Sequence, residues 1–281
     1  MIGLVDSHCH LDARRFDADR EAVIARATES GVTQIVNPGV DLQSSRSAVE
    51  LAQQHECMYA AVGIHPHDAK ALDEDALAEL RRLAASPRTV AIGEIGLDYY
   101  RDLSPRDVQR RAFEAQLELA AELGLPVIVH DRDAHDDVLA ILRDWHSSHN
   151  TVHSALDGRT GVVHSFSGDA TLAERVLELG FFIGVSGPVT YQNAGQLRKV
   201  VRAVPLERLL IETDAPYLTP HPHRGRRNEP AYVRWVAEAV AETRNLTVSQ
   251  AGAHTSANAR TLFGWSENLR LQDKEKHGRA F

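Results

Sequence analysis

A chain of 281 residues with 43% hydrophobic and 25% charged residues has globular composition and material for a large core, which excludes disorder as the default. The formal charge of −8 argues against a broad basic surface for static nucleic-acid binding, though not against a local grip on phosphate. Two cysteines, Cys9 and Cys57, exclude a disulfide framework. The sequence shows neither a basic-then-apolar leader nor a run of membrane-spanning length, so a soluble, reduced, cytoplasmic setting is expected.

In chain order, short β-branched runs alternate with longer amphipathic ones. The predicted strands are Gly3–Asp6, Gln34–Pro38, Met58–Gly63, Val90–Gly93, Pro126–His130, Gly161–Ser165, Phe181–Val185 and Arg208–Glu212. Most are apolar on both faces, the mark of strands covered on both sides. Predicted helices include Arg20–Ser30 before Gly31, Arg106–Leu123 before Gly124 and Pro126, and Leu172–Leu179 before Gly180. Glycine just past a helix accepts the left-handed conformation cheaply and so ends it. Eight strand–helix alternations predict an α/β fold, a (β/α)8 TIM barrel, with a doubly wound open sheet as the rival. One further helix, Val248–Leu262, is expected on the outside. Residues 1–264 read as a single domain and residues 265–281 as a polar tail.

The ends of the predicted strands carry the chemistry. His8 and His10 sit one residue apart, so in extended chain they share a face while Cys9 points away. Two imidazoles at that spacing can chelate one metal ion; they can also be two polar residues at a strand end. His65, Glu94, His130, His164, Glu212 and Asp214 end five other strands. Each alone is more simply a hydrogen-bonded structural group or a helix cap. Gathered on one rim they need positive charge between them, which a metal cluster supplies. Four histidines and two carboxylates from among these suit Zn or Mn, with Mg admitted by availability.

The segments DSHCHLD, GIHPH, GEIGLDYY, PVIVHDRDA, VVHSFSG and IETDAPYLTPHPHRGRRNEP, in this order, resemble the TatD family of metal-dependent deoxyribonucleases, of the amidohydrolase-like superfamily. The resemblance spans about Gly3 to Phe263. It implies two divalent metal ions, with His8, His10 and Asp214 holding the first, His130 and His164 the second, and Glu94 bridging both. It also implies Asp214 as proton acceptor for a metal-activated water, and His65 and Glu212 as residues contacting substrate or the ligands. The implied activity is 3′→5′ exonuclease action on DNA, single strands preferred, by a monomer.

Arg224, Arg226 and Arg227 follow strand 8 and read equally as phosphate contacts or as a solvated loop with ion pairs. Tyr99, Tyr100 and Tyr217 are candidates for stacking on bases. The histidines of Trp145–Arg159 (His146, His149 and His153) read as loop residues on the face away from the site. Two rivals stay open: a binuclear amidohydrolase or esterase such as an aminoacyl-tRNA deacylase, and a non-catalytic metal or nucleic-acid binding scaffold. Many binuclear amidohydrolases place a carboxylated lysine where Glu94 stands, which favours the nuclease. The scaffold would be expected to lack one of the six ligand positions.

Overall fold

The structure is a computed structural model, and it describes residues 3–148 and 158–265. His149 and His153 and the tail from residue 266 lie outside the described residues. Eight parallel strands form one sheet in sequence order: β1 (Leu4–Asp6), β2 (Val32–Pro38), β3 (Met58–Val62), β4 (Thr89–Asp98), β5 (Val127–Arg132), β6 (Gly161–Val163), β7 (Phe181–Val185) and β8 (Leu209–Ile211). Each is followed by a helix: α1 (Arg20–Glu29), α2 (Leu42–Gln54), α3 (Glu74–Ala84), α4 (Arg106–Leu123), α5 (His135–Ser148), α6 (Ala170–Glu178), α7 (Gly195–Ala203) and α8 (Val233–Arg244). A ninth helix, α9 (Val248–Phe263), completes the described chain. Among the described residues no helix is long and apolar enough to cross a membrane.

The barrel closes just past the ends of β1 and β8. Ser7 N donates to Ile211 O (3.2 Å), Asp214 N to His8 O (2.9 Å) and His10 N to Ala215 O (2.8 Å). A buried carboxylate locks this seam: Asp6 accepts from Thr213 N (2.9 Å) and Thr213 Oγ1 (2.6 Å). Burial pushes the Asp6 carboxyl up to about 8, against the hydrogen bonds from Thr213. Asp6→Ala strands two buried donors, each costing about 1–3 kcal/mol. We expect chemical denaturation to show a loss of about 3 kcal/mol, with Asp6→Asn losing less.

Side chains alternate across the sheet and build two apolar layers. Ile35, Met58, Ala60, Val62, Phe181 and Ile183 meet the surrounding helices. Val5, Val36, Ala61, Ile128, Val162, Phe182 and Leu210 fill the interior, joined by Leu262, Phe263 and Trp265. The expectation that the last helix lies on the outside is therefore corrected: α9 plugs the N-terminal mouth of the barrel. Ser256 Oγ accepts from Val5 N (3.1 Å), and Asn258 Nδ2 donates to Leu209 O (2.9 Å). An apolar interior open to water at one end is costly, so a helix end with three large apolar groups belongs there.

Strand 4 is the second correction. The predicted strand stops at Gly93, whereas β4 continues to Asp98. Between Ile92↔Val127 and Ile95↔Val129 the register advances three residues on β4 for two on β5, a bulge that re-aims Glu94. Gly96 permits the close passage: a Cβ there would lie 2.0 Å from His130 O, at a φ of 141°. Predicted strand 6 likewise shortens to Gly161–Val163, because Ser165 turns into the left-handed region (φ 45°). His146 belongs to the last turn of α5 rather than to a loop.

Candidate metal centre

Among the described residues, five of the six non-glycine residues with left-handed φ (Asp102, Asp133, Ser165, Asp214 and Leu218) follow β4, β5, β6 or β8 at the C-terminal rim. Strain gathered at one end of a scaffold points to a functional site there. The rim brings together all six residues expected as metal ligands. His8 Nε2 and His10 Nε2 stand 3.1 Å apart. Glu94 Oε2 lies 3.3 Å from His8 Nε2 and 3.6 Å from His10 Nε2. Asp214 Oδ1 lies 3.8 and 3.6 Å from the same two nitrogens. The other oxygen, Glu94 Oε1, faces His130 Nδ1 (2.7 Å) and His164 Nε2 (2.8 Å), which are 3.2 Å from each other. One buried carboxylate thus presents its two oxygens to two separate groups of nitrogens. Cys9 packs into the sheet–helix layer, away from the histidines.

The donor set fits divalent ions. Ligands about 2.0–2.1 Å from a tetrahedral ion stand roughly 3.4 Å apart. The His8, His10, Glu94 and Asp214 contacts, from 3.1 to 3.8 Å, bracket that value. The tautomers agree. His10 Nδ1–H donates to Pro38 O (3.2 Å), leaving the Nε2 lone pair toward the site. His130 Nε2–H donates to Asp98 Oδ2 (3.2 Å), leaving Nδ1 toward Glu94. His65 is different: its Nδ1 accepts from His67 N (3.1 Å), so the neutral ring carries its proton on Nε2, 3.5 Å from Glu94 Oε1. A protonated nitrogen donates hydrogen bonds and does not ligate.

Electrostatics describes what the cluster does when only protons hold it together. For Glu94, burial opposes ionisation, yet His164, His65 and His8 together hold its carboxyl well below the usual range. Burial alone would lower His10; Asp214 and Glu94 outweigh it and push the ring up to about 9. His164 is raised well above its ordinary value by Glu94 and Glu212 despite burial. His65 falls to about 4 through burial and the neighbouring His130.

These shifts fix a pH dependence. A histidine raised on folding stabilises the protein fully below about 6.5, and that contribution is lost as pH rises through the folded value. For His10 the window runs to about 9. His8 and His65, being lowered, have already lost their protons there. A metal ion must displace the protons on His10 and His164, so its affinity rises with pH. In chelator, the melting temperature is expected to fall between pH 6.5 and 9, while the gain on adding Mn²⁺ grows. A gain that stays flat across this window would contradict the assignment.

The remaining expected site residues divide. Glu212 is wholly buried and its carboxylate is occupied: Oε1 accepts from Ser165 N and Oε2 from Ser7 Oγ (3.2 Å). It braces the residues beside His8 and His164 from beneath, and its Oε1 stands 3.7 Å from His164 Nδ1, on the ligand side of the two contacts expected of it. Arg227 is committed elsewhere, bidentate to Asp19 (2.8 Å each) and laid over Phe16. Its reading as a phosphate contact is replaced by an ion pair joining the β8 loop to the start of α1. Arg224 stacks on Tyr191 (4.2 Å), and neither Arg224 nor Arg226 pairs with a carboxylate among the described residues.

Two residues at the rim, Asp98 and His67, carry no role in the sequence analysis. Asp98 Oδ2 accepts from both His130 Nε2 and His67 Nε2 (2.9 Å), so Asp98 orients one ring and ties a half-exposed histidine to it. The signal was present in His65-Pro66-His67, which repeats the spacing of His8-Cys9-His10.

An eight-stranded parallel barrel with imidazoles and carboxylates converging on its C-terminal rim defines a barrel hydrolase of the metal-dependent class. The sequence pattern of the TatD-related DNase family matches residues 5–264, and the chain belongs to that family. It is 43% identical over 260 residues to the uncharacterized metal-dependent hydrolase YabD of Bacillus subtilis, covering 92% of this chain and 98% of that one. It is 40% identical over 271 residues to the 3′-5′ ssDNA/RNA exonuclease TatD of Klebsiella pneumoniae, covering 94% and 99%. The crystal structure of YJJV, a TatD homologue from Escherichia coli K12, superposes with a TM-score of 0.85 at 34% identity, covering 93% and 98%. The protein is a metal-dependent hydrolase of the TatD type.

Proposed function

We propose that this enzyme is a 3′→5′ exonuclease acting on single-stranded DNA, with two divalent ions (Zn, Mn or Mg) held by His8, His10, Glu94, His130, His164 and Asp214. The observation that carries it is the division of Glu94, one oxygen facing His8 and His10 and the other His130 and His164. When bound, such ions lower the pKa of water and stabilise negative charge building on a phosphoryl group.

The chain's own groups do the rest. Asp214 stands at the rim, its carboxyl held below the ordinary range by His10, His8 and His164 against burial. It is ionised at neutral pH and placed to take a proton from the attacking water. Its backbone is fixed by His8 O on one side and by Tyr217 N (2.8 Å) on the other. His65, neutral with its proton on Nε2, offers that hydrogen to a phosphoryl oxygen. Arg224 and Arg226 supply cationic contacts farther along the strand. Residues 1–264 make up the catalytic domain in this reading, and a monomer acting in the cytoplasm is part of the same proposal.

The relatives named for both ssDNA and RNA make RNA the natural second substrate to try. Chelated protein is mixed with single-stranded DNA or RNA labelled at the 5′ end, and Mg²⁺, Mn²⁺ or Zn²⁺ is added. A ladder shortening from the 3′ end supports the proposal. DNA left intact under every metal would overturn it and turn attention to amides, esters and aminoacyl-tRNA.

A further inference from the structure

Among the described residues the large hydrophobic side chains left exposed are Tyr100, Leu103 and Tyr217, and all three lie on loops that leave the C-terminal rim. They stand on opposite sides of the metal centre, two after β4 and one after β8. Exposed aromatic rings beside a site for nucleic acid are stacking platforms, because every base offers a π-face. The two sides differ in what surrounds them.

On the β8 side, Tyr217 borders a cleft of about 340 Å³ that also takes in His10, Asp12, Arg14, Asp41 and Gln43. Tyr217 is fixed in place: Asn228 Nδ2 donates to Tyr217 O (2.6 Å) and to Thr213 O (2.8 Å), while the ring stays 53% exposed. It sits edge-on to His10, centroids 6.3 Å apart, so a base stacked on it lies directly beside the metal centre. The cleft is at the small end for a ligand site, room for one nucleoside and not for several. Two carboxylates and Arg14 line it, and Arg15 lies over the Tyr217 ring at 5.9 Å. Asp41 caps α2 through Ser44 N (2.6 Å), and Asp12 is held by Asn37 Nδ2 (2.8 Å). Gln43 also lines it and makes no hydrogen bond to another described residue, which leaves its amide for a ligand.

The carboxylates of Asp12 and Asp41 offer acceptors to the amino groups of a base. On the β4 side Arg132 lies over the Tyr100 ring (4.1 Å), and Arg106, which also pairs with Asp102 (3.4 Å), lies over Tyr99 (4.2 Å), a surface suited to bases and the phosphates between them.

Resting on the exonuclease reading, we infer that the cleft beside His10 and Tyr217 receives the 3′-terminal nucleoside of the substrate, while the upstream strand crosses Tyr100, Leu103 and Arg132. The size of the cleft, room for one nucleoside, then makes the enzyme specific for a terminus: a nucleoside followed by another nucleotide does not settle in it.

The test uses metal-loaded full-length protein and 5′-labelled single-stranded DNA with three ends: an ordinary 3′-hydroxyl, a 3′-phosphate, and a 3′-terminal abasic residue. The parent is expected to lose roughly 5- to 150-fold in kcat/KM when the terminal base is removed, the range of one base–aromatic stack. Tyr217→Ala is expected to lose a similar factor on the intact end and little more on the abasic one, with Tyr217→Phe restoring the parent pattern. The 3′-phosphate is expected to slow the parent, because the cleft has room for a nucleoside and not for a further phosphate beyond it.

Independent, multiplying losses for Tyr217→Ala and the abasic end would overturn the inference, as would equal rates on 3′-hydroxyl and 3′-phosphate ends. A parent inactive on all DNA would instead defeat the exonuclease reading. The cleft is then read by saturation-transfer NMR with deoxyadenosine: transfer lost in Tyr217→Ala supports a nucleoside site, and no transfer in the parent refutes it.

Discussion

Replacing Glu94 by glutamine is expected to empty the metal centre and to weaken the metal-free fold as well. Both effects follow from the same carboxylate. Its two oxygens face two separate groups of imidazole nitrogens at 2.7 to 3.6 Å, and it is almost wholly buried. An amide keeps the shape, loses the charge, and turns an NH₂ toward one of the two groups. Losing even an outer partner of a ligand costs about 10- to 100-fold in metal affinity, so losing this carboxylate is expected to cost at least about 100-fold. In chelator, at neutral pH, the raised histidines His10 and His164 lose the anion that holds their protons. Breaking a buried ion pair from one side costs about 3–5 kcal/mol. Metal titration and thermal unfolding of the two proteins measure these effects separately. A Glu94→Gln protein that binds metal like the parent would remove the bridging role.

Asp214→Asn is expected to behave differently. Asp214 Oδ1 stands 3.6 and 3.8 Å from His10 and His8, with a ligand nitrogen of His164 only within 4.8 Å. It also sits at the rim, where a water and a phosphoryl group can reach it. Asparagine preserves the backbone bonds to His8 O and Tyr217 N. Most of the metal should therefore remain while the proton acceptor is gone. Positioned general bases contribute about 10²- to 10⁴-fold, and kcat is expected to fall by that range with KM little changed. Steady-state kinetics on a single-stranded oligonucleotide, with bound metal measured on the same sample, separates this from simple loss of the ion. A fall in kcat matched by an equal fall in metal content would make Asp214 a ligand and nothing more.

The sequence revealed the positions of the centre because the barrel fixes them in advance. His8-X-His10 after an apolar run, and single histidines or carboxylates after other runs, fall at the same level of the same rim once eight strands are counted. What surrounds the centre depends on contacts that spacing does not encode. The role of Asp98 was hidden because Gly93 and Gly96 look like the end of a strand, whereas β4 bulges past them and continues. Glu212 reads as a rim residue by register, yet its side chain is spent on Ser7 and Ser165, far away in sequence. Arg227 reads equally as a phosphate contact or as half of an ion pair, and only the fold brings Asp19, 208 residues earlier, beside it. The plug made by α9 was hidden for a like reason: amphipathic periodicity tells that a helix has an apolar face, not which opening it fills.

The relation between an acidic chain and a polyanionic substrate also becomes concrete. Arg224 and Arg226, which pair with no carboxylate among the described residues, and Arg106 and Arg132, which lie over tyrosine rings, all stand on the barrel's C-terminal side, with Arg132 ending β5 and Arg106 opening α4. Surface ion pairs on the outer helices, such as Arg81–Glu122 and Arg111–Asp107, are neutral as pairs and add nothing to the net charge of −8. Local field at the rim, rather than the sum over the molecule, is what a phosphate meets.

We propose that Glu94 divides the rim into two ion sites. Metal stoichiometry tests this most simply: chelated protein is titrated with Mn²⁺ at pH 7.5 and bound metal per folded chain is counted, for the parent and for Glu94→Gln. Two ions per parent chain are expected, and a variant that fails to hold both. One ion per parent chain at saturation, or an undiminished pair in the variant, would rule out the bridging role.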